Sequence, residues 1–133
     1  MVASGMTLVH EGPENLSKIV IGMAIEVHKE LGPGLLESNY EECMCTELEL
    51  QRIRFRNQPP VPVFYKQRKL RVRFRPDIIV ARQLIVEIKC VEKLVPVHTA
   101  QIFTYLKHTD LHVGLLFNFN SEVLTDGMKR VVR

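Results

Sequence analysis

Two opposite charges, Glu87 and Lys89, interrupt an otherwise apolar run at residues 84–91. The run alternates as a β-strand does, and its parity places Ile85, Glu87 and Lys89 on one face. A buried ion pair adds little to stability on average, because the cost of desolvation offsets the Coulomb attraction. Charges in a predicted core strand therefore indicate a chemical role.

Asp77 precedes this pair across one short predicted turn at Arg82 and Gln83. Antiparallel neighbouring strands would bring the carboxylates of Asp77 and Glu87 close together, where they repel unless a cation lies between them. Carboxylate oxygens suit a hard ion, Mg²⁺ or Mn²⁺, which lowers the pKa of bound water and neutralises charge on a phosphate. Lys89 would then orient the water, help to deprotonate it, or stabilise the developing anion.

The elements that must position these residues follow from the periodicity of the apolar residues. Helices are predicted over residues 15–31, 35–52 and 98–108, and Gly32-Pro33-Gly34 separates the first two. Strands are predicted at residues 61–65, at 69–80 with an interruption at Pro76, and at 84–91. A strand at 113–119 is nearly all apolar and is therefore predicted to be buried on both faces, and residues 121–133 are predicted to hold a short helix or strand. This order predicts an α/β protein built around one mixed sheet.

Length and composition fit a single domain. The chain has 133 residues and a net charge of +3. Residues 1–13 are predicted to be a flexible tail, and residues 14–133 to form one domain. The three cysteines are expected to be reduced thiols, because an odd number without a framework spacing does not fit a secreted scaffold. Neither a membrane span of ~20 apolar residues nor a signal peptide is recognisable, which predicts a cytoplasmic protein.

Cations alternate with apolar residues just before Asp77. The cations on one face of the predicted strand are Lys69, Arg71, Arg73 and Arg75. If the alternation continues, Asp77 lies on the same face as these cations. The face could then bind a nucleic-acid phosphate backbone along a track that ends at the metal. The parity fails if Pro76 forms a bulge, and the alternative is a solvated face whose cations protect a sheet edge. Few aromatic residues are interleaved along the chain, so base stacking is not specifically predicted.

Three segments resemble motifs of one nuclease superfamily. Pro76-Asp77 followed by Glu87-Ile88-Lys89 resembles the signature of the PD-(D/E)XK nucleases, with the same strand–turn–strand placement. Residues 101–105, Gln-Ile-Phe-Thr-Tyr, resemble the Q-x-x-x-Y motif of the RecB-like branch. Residues 34–40, Gly-Leu-Leu-Glu-Ser-Asn-Tyr, are similar to the motif of the small prokaryotic GxxExxY family. The resemblance covers residues 16–130, nearly the whole chain.

The resemblance implies a restriction-endonuclease-like core, with a mixed central sheet flanked by helices. It implies hydrolysis of phosphodiester bonds in DNA or RNA, dependent on Mg²⁺ or Mn²⁺. Asp77 and Glu87 would hold the metal. A carboxylate from an early helix would complete the metal site, and Glu37 matches that position better than Glu41 or Glu26. On the third helix, Gln101 and Tyr105 would border the site, where they would touch the phosphate backbone or support Lys89.

Other interpretations of these residues stay open on sequence grounds. Asp77, Glu87 and Lys89 could form a solvated cross-strand ladder of charges. The acids of the second helix could simply favour the helix dipole, and Tyr105 could be a packing residue. His98 could approach the site, although capping of the third helix is favoured. The chain could also be a nucleic-acid or protein adaptor without turnover, and a homodimer is possible.

Overall fold

A computed structural model describes residues 12–133, so all but the last two residues of the predicted tail lie outside the described part of the chain. In chain order the elements are α1 (Pro13–Leu31), α2 (Glu37–Leu50), β1 (Phe55–Asn57), β2 (Val61–Tyr65), β3 (Arg68–Phe74), β4 (Ile78–Val80), β5 (Leu84–Lys89), α3 (Pro96–Thr109), β6 (Val113–Asn118), a 3₁₀ turn (Leu124–Gly127) and β7 (Met128–Val132). None of the helices in residues 12–133 is long and apolar enough to cross a membrane.

Five strands form the central sheet in the order β1-β4-β5-β6-β7. Only the β5–β6 pair is parallel, and the other three pairs are antiparallel. The prediction of an α/β fold around a mixed sheet is therefore confirmed. All six residues of β6 are buried, as predicted for a strand covered on both faces.

The helices cover the two faces of this sheet. Leu84, Val86 and Ile88 of β5 belong to the core that also contains the apolar faces of α1 and α2. Ile85, which points to the opposite face, packs with Ile102 of α3 in a second cluster. Glu87 shares the parity of Ile85, so the charged positions of β5 lie on the α3 face of the sheet.

The predicted interrupted strand at residues 69–80 is two strands in two different sheets. β3 pairs only with β2 in a separate hairpin, whereas β4 lies between β1 and β5 in the central sheet. Pro76 explains the break, because it has no N–H to donate to a ladder and restricts the residue before it. The prediction of one strand interrupted at Pro76 is therefore wrong, since β3 lies outside the central sheet.

The sequence does not predict β1, because Asn-Gln-Pro-Pro at residues 57–60 is interpreted as a break between elements. Its three residues pair with β4, and Asn57 lies opposite Ile78. Three residues are too short to show a period of two, and the Pro59-Pro60 pair that follows is typical of a loop. This strand forms one outer edge of the central sheet.

The β2–β3 hairpin turns through Lys66 and Gln67, with φ angles of 47° and 69°. Two-residue turns with both φ angles positive favour Asn-Gly, and other residues there cost about 1 kcal/mol or more each. The base of the hairpin rests on α3, where the Phe74 ring stacks on Tyr105 with centroids 4.2 Å apart and planes inclined by 4°.

Gly114 of β6 lies at a close contact between α3 and the sheet. A Cβ added at Gly114 would lie 2.5 Å from Cγ2 of Ile102 and 3.7 Å from the carbonyl oxygen of Ile85. Because Cγ2 is fixed close to the backbone of α3, a side chain at position 114 would push the helix away from the sheet.

We expect Gly114→Ala to lower the free energy of unfolding by about 1–3 kcal/mol, because it overpacks this contact. Urea denaturation followed by circular dichroism measures the change. The matched control is Gly22→Ala in α1, where an added Cβ meets nothing within 4 Å. Alanine there should raise the free energy of unfolding by about 0.5–1 kcal/mol. If both substitutions changed the free energy of unfolding equally, the contact between Gly114 and α3 would not be tight.

Candidate active site

Asp77 and Glu87 face one another across the start of β4 and the end of β5. Ile78 pairs with Val86, so one further step of the antiparallel register brings Asp77 opposite Glu87. The Asp77 N–H donates to Glu87 Oε2 at 2.5 Å, and the Ile88 N–H donates to Asp77 Oδ2 at 2.7 Å. Each carboxylate is thus held by the backbone of the opposite strand. The second oxygens, Asp77 Oδ1 and Glu87 Oε1, have no hydrogen-bond partner among residues 12–133.

Burial raises the pKa of both carboxyls, and nearby negative charges raise them further. Glu87 is only 4% exposed. Its pKa is raised first by burial and then by the charge of Asp77. The pKa of Asp77 is raised first by burial, with smaller increases from Glu41 and Glu37. The site therefore has more negative charge than its own surroundings stabilise, and a cation would relieve the repulsion.

The positive charge of Lys89 acts on Asp77 and Glu87, but it does not neutralise both carboxylates. It follows Glu87 on the same face of β5, and its charge lowers the pKa of both Asp77 and Glu87. In both cases this lowering is smaller than the increase caused by burial. Lys89 is partly buried, and its backbone carbonyl oxygen accepts the Phe119 N–H at 2.9 Å.

Asn118, which the sequence analysis did not single out, fixes the chain just beyond Lys89. Asn118 is 2% exposed and pairs with Lys89 in the parallel register of β5 and β6. Its Nδ2 donates to the Val91 carbonyl at 2.9 Å, and its Oδ1 accepts the Val91 N–H at 3.1 Å. This two-point contact extends the strand pairing past the last residue of β5 and so limits where Lys89 can reach.

The segment that resembles the GxxExxY motif braces the same strand end. Glu37, the first residue of α2, accepts the N–H of Cys90 through Oε2 at 3.2 Å. The Tyr40 hydroxyl donates to the Gly32 carbonyl at 2.5 Å and accepts the Leu35 N–H at 3.1 Å. These bonds close the loop between α1 and α2 and so set the position of Glu37. In this structure Glu37 contacts the backbone next to Lys89, and its charge also acts on Asp77.

Glu41 connects α2 to the end of β1. Its Oε2 accepts the side-chain amides of Asn57 at 2.7 Å and Gln58 at 2.9 Å. The Asn57 amide and the Gln58 N–H also donate to the carbonyl oxygen of Asp77, at 2.9 and 2.8 Å. Sequence reasoning missed Asn57 and Gln58, because they lie in the segment interpreted as a break. They hold the backbone of Asp77 from the side opposite Glu87.

Helix α3 carries the remaining predicted site residues. Burial, together with the charges of Glu87 and Asp77, raises the pKa of Tyr105 to about 12, so its hydroxyl stays protonated at neutral pH. Gln101 lies one turn earlier on the same helix face, and its amide makes no hydrogen bond within residues 12–133. His98 accepts the Val95 N–H through Nδ1 at 3.0 Å, so it caps the helix, as favoured from the sequence.

Comparison with protein families identifies this arrangement. The model of the PD-(D/E)XK nuclease superfamily matches residues 14–131. The chain belongs to the PD-(D/E)XK nuclease superfamily. No curated protein matches the chain at a significant level.

The crystal structure of SSO0001 resembles this PD-(D/E)XK chain, with a TM-score of 0.57 and 15% sequence identity. The match covers 72% of this chain and 49% of that chain, so our chain spans about half the length of SSO0001. At this identity the likeness shows the fold alone.

The donor set of this PD-(D/E)XK site fits a hard divalent ion. Within residues 12–133, no group of three or more His, Cys, Asp or Glu side chains could by itself hold a metal. Mg²⁺ does not need such a cage, because it keeps several waters and binds one or two carboxylates together with substrate phosphates. The free oxygens of Asp77 and Glu87 and the charge repulsion between these residues match that kind of site.

The predicted cation track does not continue into the site as one strand face. Lys69, Arg71 and Arg73 are exposed on β3, which belongs to the separate hairpin. Arg75 lies beyond the end of β3, and its Nη1 donates to the Gln58 carbonyl at 3.3 Å. The parity argument is therefore wrong, because Pro76 separates the two sheets. The last strand of the hairpin nevertheless ends at Phe74, three residues before Asp77.

A second group of cations lines a cavity of about 670 Å³ at the β1 edge. Arg54, Arg56 and Arg82 contribute to its wall, together with Ile79. Ile79 has the parity of Asp77 on β4, so the cavity reaches within two residues of the site. On sequence grounds Arg54 and Arg56 have no assigned role, and Arg82 lies in a predicted turn.

The raised pKa values predict a pH-dependent stability in metal-free protein. A carboxyl with a raised pKa binds protons more tightly in the folded state than in the unfolded chain. The free energy of unfolding should therefore fall as pH increases from about 4 through neutral pH. We expect Glu87→Gln to be more stable than the wild type at pH 8, by at least about 1 kcal/mol, with a weaker pH dependence.

Urea denaturation in EDTA at pH 5 and pH 8 measures this effect. Glu30→Gln is the matched control, because it removes a carboxylate from the exposed surface of α1. It should change the free energy of unfolding by less than about 0.5 kcal/mol at both pH values. The same pH dependence in the wild type and in Glu87→Gln would contradict the geometry of the carboxyl pair.

Proposed function

We propose that this chain is a Mg²⁺- or Mn²⁺-dependent nuclease that hydrolyses phosphodiester bonds of DNA or RNA. The observation that carries the proposal is the buried Asp77–Glu87 pair, held by reciprocal backbone hydrogen bonds with Lys89 on the same face. A purely structural pair would be costly, because two like charges at close range repel each other and the backbone hydrogen bonds do not cancel that repulsion. Membership of the superfamily supports the same reaction.

We also propose that the chain belongs to the RecB-like branch and to the GxxExxY family. Gln101 and Tyr105 support the first assignment, since both lie on the helix that covers the Lys89 face of the sheet. Gly34, Glu37 and Tyr40 support the second, since the Tyr40 hydroxyl closes the loop that presents Glu37 to the end of β5.

In the proposed reaction, a water molecule loses a proton to solvent and its oxygen forms a bond to phosphorus. The ester P–O bond breaks, and the leaving oxygen receives a proton from solvent. A bound Mg²⁺ would lower the pKa of that water and neutralise charge on the phosphate. Asp77 Oδ1 and Glu87 Oε1 are the oxygens available to hold the ion. The Lys89 ammonium group would orient the water and stabilise the anionic phosphate oxygen. The protonated Tyr105 hydroxyl can donate a hydrogen bond to the same phosphate.

The charge distribution supports nucleic acid as the partner. Nine of the eighteen Lys and Arg residues lie between Arg52 and Arg75, and no acidic residue occurs between Glu49 and Asp77. The ion pairs formed within residues 12–133 join Arg130 to Glu14 and Arg133 to Asp110, so they involve none of these nine cations. Unpaired cations beside a carboxylate site are suited to phosphate groups.

The second candidate is an adaptor that binds nucleic acid without cutting it. It is favoured by the hydrogen bonds that Glu37 and Glu41 accept from neighbouring protein groups, because these bonds give both carboxylates a structural role that needs no metal. The adaptor needs the cations but does not need Lys89 for turnover. Substitution of Lys89 therefore separates the two candidates.

We expect Asp77→Asn and Lys89→Ala each to lower cleavage of a labelled oligonucleotide in Mg²⁺ or Mn²⁺ by at least about 100-fold. Asp77→Asn should also abolish metal binding in calorimetry, whereas Lys89→Ala should retain it, because the ammonium group is not a ligand. Lys29→Ala on the exposed surface of α1 is the matched control, and it should cleave at the wild-type rate. Unchanged cleavage after Lys89→Ala would contradict the proposed role of Lys89. Wild-type protein that binds oligonucleotide but cleaves none in either metal would favour the adaptor.

A further inference from the structure

The tip of the β2–β3 hairpin carries aromatic rings beside cations, both along the chain and across the two paired strands. In the hairpin register Phe64 lies opposite Lys69, and Tyr65 lies opposite Arg68. The Lys66 ammonium lies 5.5 Å from the centroid of the Tyr65 ring. Pairing of the two strands thus interleaves aromatic and cationic residues across the hairpin as well as along the chain.

Both rings are open to solvent. Phe64 is 51% exposed and Tyr65 is 61% exposed. Exposed aromatic rings among cations are the composition of surfaces that bind single-stranded nucleic acid, where bases stack on the rings and cations contact the phosphates. We propose that the hairpin tip, defined as residues 64–69, stacks unpaired bases of the substrate. This proposal rests on the proposed nuclease function and specifies its substrate as a nucleic acid with a single-stranded segment.

The turn supports a role for the tip beyond joining two strands. Lys66 and Gln67 both have positive φ angles, a conformation that Asn and Gly adopt with less strain. A turn selected only for stability would carry those residues. Lys66 instead places a cation over the Tyr65 ring at the end of the hairpin.

The hairpin connects the tip directly to the carboxylates. At its base, the Phe74 ring stacks on Tyr105. The Arg75 side chain donates to the carbonyl oxygen of Gln58, and the N–H of Gln58 donates to the carbonyl oxygen of Asp77. The six steps along β3 from Arg68 to Phe74 span roughly 20 Å. A strand held by the tip could therefore follow the hairpin to the site, past the exposed cations Arg71 and Arg73.

Charge and ring chemistry favour unpaired nucleic acid over the other possible occupants. The cations of residues 64–69 form none of the ion pairs in the described part of the chain, so this surface suits a polyanion better than a second copy of a protein with net charge +3. A duplex hides the faces of its bases, so it could use the cations but not the rings. Stacking by Phe64 and Tyr65 requires bases that are not paired.

The test measures binding in EDTA, so that it does not depend on metal or turnover. Three fluorescent probes are compared by anisotropy: a 20-nucleotide oligo(dT), an abasic deoxyribose-phosphate oligomer of equal length, and a 20-base-pair duplex. We expect the wild type to bind oligo(dT) at least about 10-fold more tightly than the abasic oligomer, because stacking adds to the shared phosphate contacts. We also expect oligo(dT) to bind more tightly than the duplex.

Removal of both rings should abolish this preference. The double variant Phe64→Ala/Tyr65→Ala should bind oligo(dT) and the abasic oligomer with similar affinity, while its affinity for the abasic oligomer stays near the wild-type value. Phe64→Tyr keeps an aromatic ring and should retain the preference. Val72→Ala is the matched control, because Val72 is exposed on the same hairpin but has no ring, and it should also retain the preference. Thermal unfolding followed by circular dichroism checks that each variant is folded.

Several outcomes would overturn the inference. One is equal wild-type affinity for oligo(dT) and the abasic oligomer, and another is tighter binding of the duplex. A third is loss of a wild-type dimer, seen by size-exclusion chromatography, when the rings are removed without any change in oligonucleotide binding. Failure of the proposed nuclease function is distinguishable, because a chain that prefers oligo(dT) but cleaves nothing in Mg²⁺ or Mn²⁺ would support the stacking site and contradict only the catalytic proposal.

Discussion

The structure depends on holding two like charges together inside a protein. Asp77 and Glu87 approach from adjacent antiparallel strands, and each receives one backbone N–H from the strand of the other. Those hydrogen bonds fix the two side chains but do not cancel their repulsion, and both pKa values stay raised. The remainder of the site can be understood as a scaffold that prevents the two carboxylates from moving apart.

That scaffold comes from every layer of the fold. From β1, Asn57 and Gln58 hold the carbonyl oxygen of Asp77. From α2, Glu37 binds the N–H that follows Lys89, and from β6, Asn118 fixes the next residue along the chain. The contacts are made mostly by backbone groups and amides, which carry no net charge. The surroundings therefore hold the two carboxylates in place without neutralising their charge.

Local patterns predicted much of this arrangement. Alternation along β5 and the short turn before it were enough to place Asp77 opposite Glu87, and the apolar run at 113–119 predicted a doubly covered strand. β1 could not be predicted, because three residues show no period and their pairing with β4 depends on residues more than twenty positions away. The hydrogen bonds of Glu37 and Asn118 were equally inaccessible, since they join segments 53 and 27 residues apart. Pro76 separates the hairpin from the central sheet. The sequence predicts that this proline interrupts strand pairing locally, but it does not predict that the strands on either side belong to different sheets.

Pro76 also has a consequence for how such a protein can change over time. Because it ends one sheet and begins another, residues before it can vary without shifting the register of β4 against β5. A hairpin lengthened by two residues, or given a different tip, would leave the spacing of the carboxylates intact. Pro76, a single buried residue, thus separates the hairpin, which can change to bind new ligands, from β4 and β5, whose pairing the carboxylates require.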